Sequence, residues 1–278
     1  MSIQRTFPEP DPRFYKYHSH ASNRDKDTQA MGWVQELFWS MGRCRQSGFT
    51  YAEGSWGYTV VLRVVYTQES DALWPIALQK LNRWITQYFI HGNRLIKNKP
   101  NGEINEELAR RFVLEPVENK ALEDLKLPNL SGVTSQRDIQ SLTQFFEDWR
   151  RRAVGENADL DPRDNTRFCD FLVIDEVSLR TLAALPEEMP SLEMVSRVER
   201  RARHDLWAGS FVWLIDSLAV KRFQGVEDAD NHNGLMKLSP EDLQNAWFER
   251  ASRFSSDFWT FDREETPEGS GEKWYRQH

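Results

Sequence analysis

Cysteine is nearly absent: Cys44 and Cys169 are the two in 278 residues, with no CxxC spacing. Neither a disulfide framework nor a thiolate zinc site is indicated, and a reducing compartment fits. Long apolar runs are missing too. The longest are strand-sized, and the opening MSIQRTFPEPDPRFYKYHSH has no hydrophobic signal core, so neither a membrane span nor secretion is expected. Positive charge is in deficit, with a net charge of -7, which disfavours nonspecific nucleic-acid binding because phosphate neutralisation needs a basic face. No GxSxG, HExxH, Walker A or dinucleotide glycine fingerprint occurs, so the commonest hydrolase, zincin and nucleotide-binding signatures are lacking. The expectation is a cytoplasmic protein without cofactor or metal.

What is present supports a globular body between polar ends. Hydrophobic residues make up 39% of the chain and charged residues 28%, enough for a sizeable core at this length. Residues 1–30, with three prolines and the run ASNRDKDTQ, read as a flexible arm, and residues 256–278 as a flexible tail. Between them, 31–255 reads as one domain. WVQELFW (33–39) suits a short helix. YTVVLRVVY (58–66), RFCDFLVID (167–175), SFVWLIDS (210–217) and GLMKLS (234–239) read as strands, being β-branched, aromatic and bounded by turn residues. A helix after Thr67 carries Leu73, Ile76, Ala77, Leu81, Trp84, Ile85 and Tyr88 at helical spacing. Residues 94–165 read as a helical insertion, whose best piece is the amphipathic DIQSLTQFFEDWRRRAV. In that piece Glu147 with Arg151 and Asp148 with Arg152 are expected to pair at four residues. Ser239, Pro240 and Asp242 form a strong helix-start signal.

Four strands with amphipathic helices predict an α+β fold: a ferredoxin-like open sandwich with helices on one sheet face and a helical insertion. A doubly wound parallel sheet is the alternative, weakened by the lack of a glycine-rich strand-to-helix turn. The segment WGYTVxxRxxYTxESDALW (56–74), with FLVID and GLMKLS, resembles a set of filamentous-fungal intracellular proteins without an established activity. That resemblance implies fungal origin and a coherent fold, and no catalytic residue.

The strand around Arg63 raises the sharpest functional question. Strict alternation places Thr59, Val61, Arg63 and Val65 on one face and Tyr58, Val60, Leu62 and Val64 on the other. Arg63 could grip a ligand carboxylate or phosphate with Tyr66 and Lys237 assisting, or form a structural ion pair. Asp175 and Asp216 each end an apolar strand and are the weak acid/base candidates, with helix capping the plainer role for Asp175. The loop 226–234 gathers Glu227, Asp228, Asp230 and His232 but puts Asn233 where a calcium loop needs glycine, and His18 with His20 lacks a third ligand. Cys44 with His91 or His204 has no supporting spacing. Arg197, Arg200, Arg201 and His204 form one helical stripe, the best basic patch of an acidic chain and a candidate surface for an acidic partner, a phosphate or RNA, with a solvated helix face the plainer reading. These features predict a protein that binds a protein partner or small ligand. The alternative is an enzyme of specialised metabolism acting on a small organic acid or aromatic substrate.

Overall fold

In the computed structural model, the described residues are 7–8, 33, 34, 37, 54–94, 100–123, 125, 136–154, 166–190, 196–222, 234–252, 263–266 and 272–275. Their centre is a mixed seven-stranded sheet in the order β2-β1-β3-β4-β5-β7-β6. The strands are β1 (Trp56–Arg63), β2 (Phe112–Glu118), β3 (Asp170–Ile174), β4 (Val212–Asp216), β5 (Leu235–Leu238), β6 (Arg263–Thr266) and β7 (Glu272–Tyr275). The helices are α1 (Gln68–Arg94), α2 (Pro100–Arg110), α3 (Gln136–Val154), α4 (Glu176–Ala183), α5 (Arg197–Asp205), α6 (Ser217–Arg222) and α7 (Leu243–Ser252).

The α+β class holds, and the four strands read from sequence lie side by side as β1, β3, β4 and β5. The ferredoxin-like plait does not: β1 is parallel to both β2 and β3, and β4 runs antiparallel to β3 and β5. Helices also cover both faces rather than one. Trp74, Leu81 and Trp84 of α1, Leu182 of α4 and Trp247 of α7 share a core with Tyr58, Val61, Leu172 and Leu214. Ile139, Leu142 and Phe146 of α3 pack with Val60, Leu62, Phe171 and Ile215 on the other side. The reason is that β1, β3, β4 and β5 are buried along their whole length. A strand buried on both faces needs two covers, and it reads as a continuous apolar run.

β2, β6 and β7 are the strands the sequence pattern did not announce. β2 lies within the stretch read as a helical insertion and forms a sheet edge, where Pro116 can omit its N–H without breaking a central ladder. β6 and β7 lie in the segment expected to be a flexible tail, with β7 beside β5 through Lys237 and Trp274. Part of the expected N-terminal arm is also seated: the Phe7 ring lies 5.8 Å from the Arg111 guanidinium, which also donates to the Pro8 carbonyl. Of the predicted 33–39 helix, residues 33, 34 and 37 are helical and the others lie outside the described residues.

β1 departs from strict alternation. Tyr58 pairs with Leu114 and Val61 with Pro116, so β1 holds one extra residue there, a bulge. Tyr58 thereby joins Val61 on the α1 face instead of opposing it. Just upstream, Gly57 has φ +112° and a Cβ would stand 2.3 Å from the Val113 carbonyl oxygen, so only glycine allows β2 this close.

Candidate functional site

Arg63 ends β1 at 3% exposure. Its Nε donates to the Val65 carbonyl at 2.7 Å and its Nη2 to Ser70 Oγ at 2.8 Å. Asp71 closes an ion pair with Nη2, and Glu118 stands 4.0 Å from Nη1. The guanidinium lies 4.6 Å from the Tyr66 ring centroid and 5.5 Å from that of Trp74. Ser70 is itself fixed, since its Oγ accepts from Thr67 N at 2.7 Å while Thr67 Oγ1 accepts from Ser70 N. Arg63 therefore clasps the strand end to the first turn of α1, its charge met by protein carboxylates and its donors by the N-terminal turn.

Tyr66 belongs to the same clasp. Its hydroxyl donates to the Arg63 carbonyl at 3.0 Å and accepts from Asn119 N at 2.8 Å, tying the strand end to the chain beyond β2. Partial burial raises its phenol above the ordinary value, against the hydrogen bond from Asn119.

Lys237 does not join Arg63. It faces the α3 side of the sheet through its neighbour Trp213, whereas Arg63 is in phase with Val61 and packs on Trp74 of α1. The Lys237 Nζ lies 4.2, 5.1 and 5.5 Å from the ring centroids of Phe211, Trp213 and Trp274. Three rings thus surround one ammonium, a cation–π cage whose third wall comes from β7.

Asp175 and Asp216 do not face each other. Asp216 pairs with Asp170 at the start of β3, and Asp175 follows its end, so roughly 16 Å of extended chain separates them. Asp175 caps α4: Oδ1 accepts from Ser178 N at 2.8 Å in a full capping box, and Oδ2 accepts from Trp213 Nε1 at 2.8 Å. Asp216 Oδ1 accepts from Leu218 N and Ala219 N, each at 3.0 Å, at the start of α6.

The buried charge cluster around Asp216 was not foreseen. Arg250 of α7 lies 2.9 Å from Asp216 Oδ2 and 3.1 Å from Asp170 Oδ1, with all three side chains at 2% exposure or less. Two carboxylates and one guanidinium cannot all stay charged in a dry site without net charge. Burial pushes Asp170 up to about 8, with Arg250 opposing and Asp216 adding to the rise. Burial also raises Asp216, but Arg250 and its two amide donors oppose that. Asp216, with two amide donors beside its ion pair with Arg250, is the better placed to hold the negative charge, which assigns the proton to Asp170. The available signal was that Arg250 lies three residues after Trp247 and one before Ala251, on the buried side of its helix.

Glu147 is a third buried carboxylate, 2% exposed, with Oε2 2.5 Å from Arg150 Nη2 and 2.6 Å from Lys221 Nζ. The expected Glu147–Arg151 and Asp148–Arg152 pairs are replaced by Glu147–Arg150 and Asp148–Arg151, each three residues apart. The reason is tertiary: α6 brings Lys221 onto Glu147. Cys169 is buried and its thiol is pushed well up by burial, which makes it a poor nucleophile.

The basic stripe does form a helix, α5, capped by Ser196 and Glu199 in a capping box. Arg197, Arg201 and His204 are exposed. Beside them Val198 is 79% and Leu206 56% exposed, eight residues apart with exposed Ala202 between. The helix is rooted by buried Trp207, which meets the Trp84 ring edge-on at 5.3 Å. Residues 226–233, His18, His20 and Cys44 lie outside the described residues. Among the described residues, no group of three or more His, Cys, Asp and Glu side chains is placed to hold a metal, and no helix is long and apolar enough to cross a membrane. Comparison with family models, with curated proteins and with solved structures gave no match.

Proposed function

We propose that this chain is a cytoplasmic binding protein, of the filamentous-fungal set it resembles, that docks an acidic protein partner through α5. The observation that carries the reading is the amphipathic, outward-facing surface of that helix: Val198, Ala202 and Leu206 form an exposed apolar stripe beside Arg197, Arg201 and His204. An apolar stripe flanked by cations suits a groove whose rim is acidic, the helix-in-groove mode. The capping box preforms the helix, so little ordering entropy is lost on docking. The residues an enzyme reading would use are spent elsewhere: Arg63 and Tyr66 in a clasp, Asp175 in a cap, Asp216 in a buried cluster.

The test is affinity enrichment from source cytosol with wild type and a Val198→Asp/Leu206→Asp variant, followed by reconstitution with the purified partner. Both substituted positions are in water, so the variant keeps its fold. The expected result is one partner lost from the variant, with reconstituted affinity at least about tenfold weaker, or roughly 1.4 kcal/mol, and falling with salt. An identical set of captured proteins for the two forms overturns the proposal.

A further inference from the structure

Away from α5, an open groove of about 650 Å³ runs between α3 and α6, lined in part by Gln140, Thr143, Gln144, Phe145, Asp148 and Lys221. Its volume lies within the range of small-molecule sites. Two of the buried oxygens without a hydrogen-bond partner among the described residues belong to α3: Thr143 Oγ1, on the groove wall, and Glu147 Oε1, one helical turn further on. Thr143 is 3% exposed and Glu147 2%. Buried polar atoms are normally satisfied, and each one left open costs about 1–3 kcal/mol. A ligand hydroxyl at the groove wall could accept from or donate to the Thr143 hydroxyl.

The lining narrows the ligand class. The charges are already paired within the protein: Glu147 with Arg150 and Lys221, Asp148 with Arg151. A charged ligand would have to break one of these pairs, whereas a neutral one leaves them intact. Gln144 is held by its donation to Asp148 Oδ1 at 2.9 Å, and its carbonyl oxygen is an acceptor. Gln140 adds an amide that both donates and accepts, and half-buried Phe145 offers an apolar surface. Alternating donors and acceptors beside an aromatic face match a ring that carries several hydroxyls on an apolar body. We infer that the α3–α6 groove binds a neutral polyhydroxylated ligand of the saccharide class, with Thr143 taking one of its hydroxyls.

The inference is tested on the full chain by saturation-transfer NMR with maltotriose, cellotriose and mannitol, and by titration of the tryptophan fluorescence. Transfer to at least one of the three is expected. Thr143→Val, which removes the hydroxyl, and Gln144→Ala, at an exposed position, should each weaken binding about five- to tenfold, the worth of one hydrogen bond. No transfer to any probe overturns the inference, as does binding that neither variant weakens. Circular dichroism on both variants separates lost binding from lost fold; should Thr143→Val misfold, Gln144→Ala alone decides.

Discussion

Arg63 shows how a charged residue in an apolar strand can be structural. Its guanidinium is buried while its carboxylate partner Asp71 is 66% exposed, so the two sides of the pair have unequal weight. Truncating Arg63 removes the only cation of the clasp and strands the donors and acceptors it satisfied; truncating Asp71 leaves an arginine still bonded to Ser70 and Val65. Arg63→Ala should therefore cost about 3 kcal/mol, and Asp71→Asn less than about 1 kcal/mol, both read by urea denaturation. Equal costs would show that the exposed ion pair, not the buried hydrogen bonds, carries the clasp. Asp170 makes a second prediction at this scale. Its carboxyl is held up at about 8 in the folded protein against about 3.9 unfolded. The folded state then binds the extra proton between those values, so the stabilisation is complete below about pH 4 and is lost as pH rises towards and through 8. Between pH 6 and 8 stability should fall by up to about 1.4 kcal/mol per pH unit, and Asp170→Asn, which cannot ionise, should flatten the profile. A wild-type stability that is level over that range would refute the assignment of the proton.

At the level of elements, the bulge in β1 and the two short C-terminal strands do the positioning. Gly57 is needed for its positive φ and for the approach of the Val113 carbonyl, so Gly57→Ala should destabilise by about 2–3 kcal/mol through strain at a left-handed position and a backbone clash. A loss under about 0.5 kcal/mol would mean that β2 moves aside freely. β7 covers the edge of β5 and supplies Trp274 to the Lys237 cage. Removing residues 263–278 should leave an open, buried-type strand edge, the kind that pairs with another chain. The truncated protein is expected to elute as higher oligomers in size-exclusion chromatography where the full chain does not. Unchanged elution would place the β5 edge under other cover.

For the molecule as a whole, the sheet is continuous from β2 to β6 and both helical layers pack on it. Segments from residues 56 to 275 therefore share one hydrogen-bonded layer. Unfolding by urea should give coincident transitions in far-UV circular dichroism and tryptophan fluorescence. Two separated transitions would mean that the C-terminal strands and α7 fold as their own unit.

The sequence by itself determined the local features whose signals are contained in short spans. Period and β-branching marked β1, β3, β4 and β5, helical spacing marked α1 and α3, and the Asp175 start was readable from its side chain, whereas the Ser239 signal marks a turn, with α7 beginning at Leu243 and the Ser239 hydroxyl donating to Asp242. FLVI and, but for Arg63, VVLRVV are apolar on both faces, which also requires helices on both sides. Tertiary structure alone decided the rest. β6 and β7 are short and mostly polar, and β2 is interrupted by Glu115 and Pro116; all three become strands because a neighbour supplies their ladder. Strand order places Asp216 against Asp170 and away from Asp175, a bulge turns Tyr58 to the other face, and α6 and α7 carry Lys221 and Arg250 to Glu147 and Asp170. Those pairings join residues far apart in the chain, and their energy comes from shared burial, which no local stretch of sequence contains.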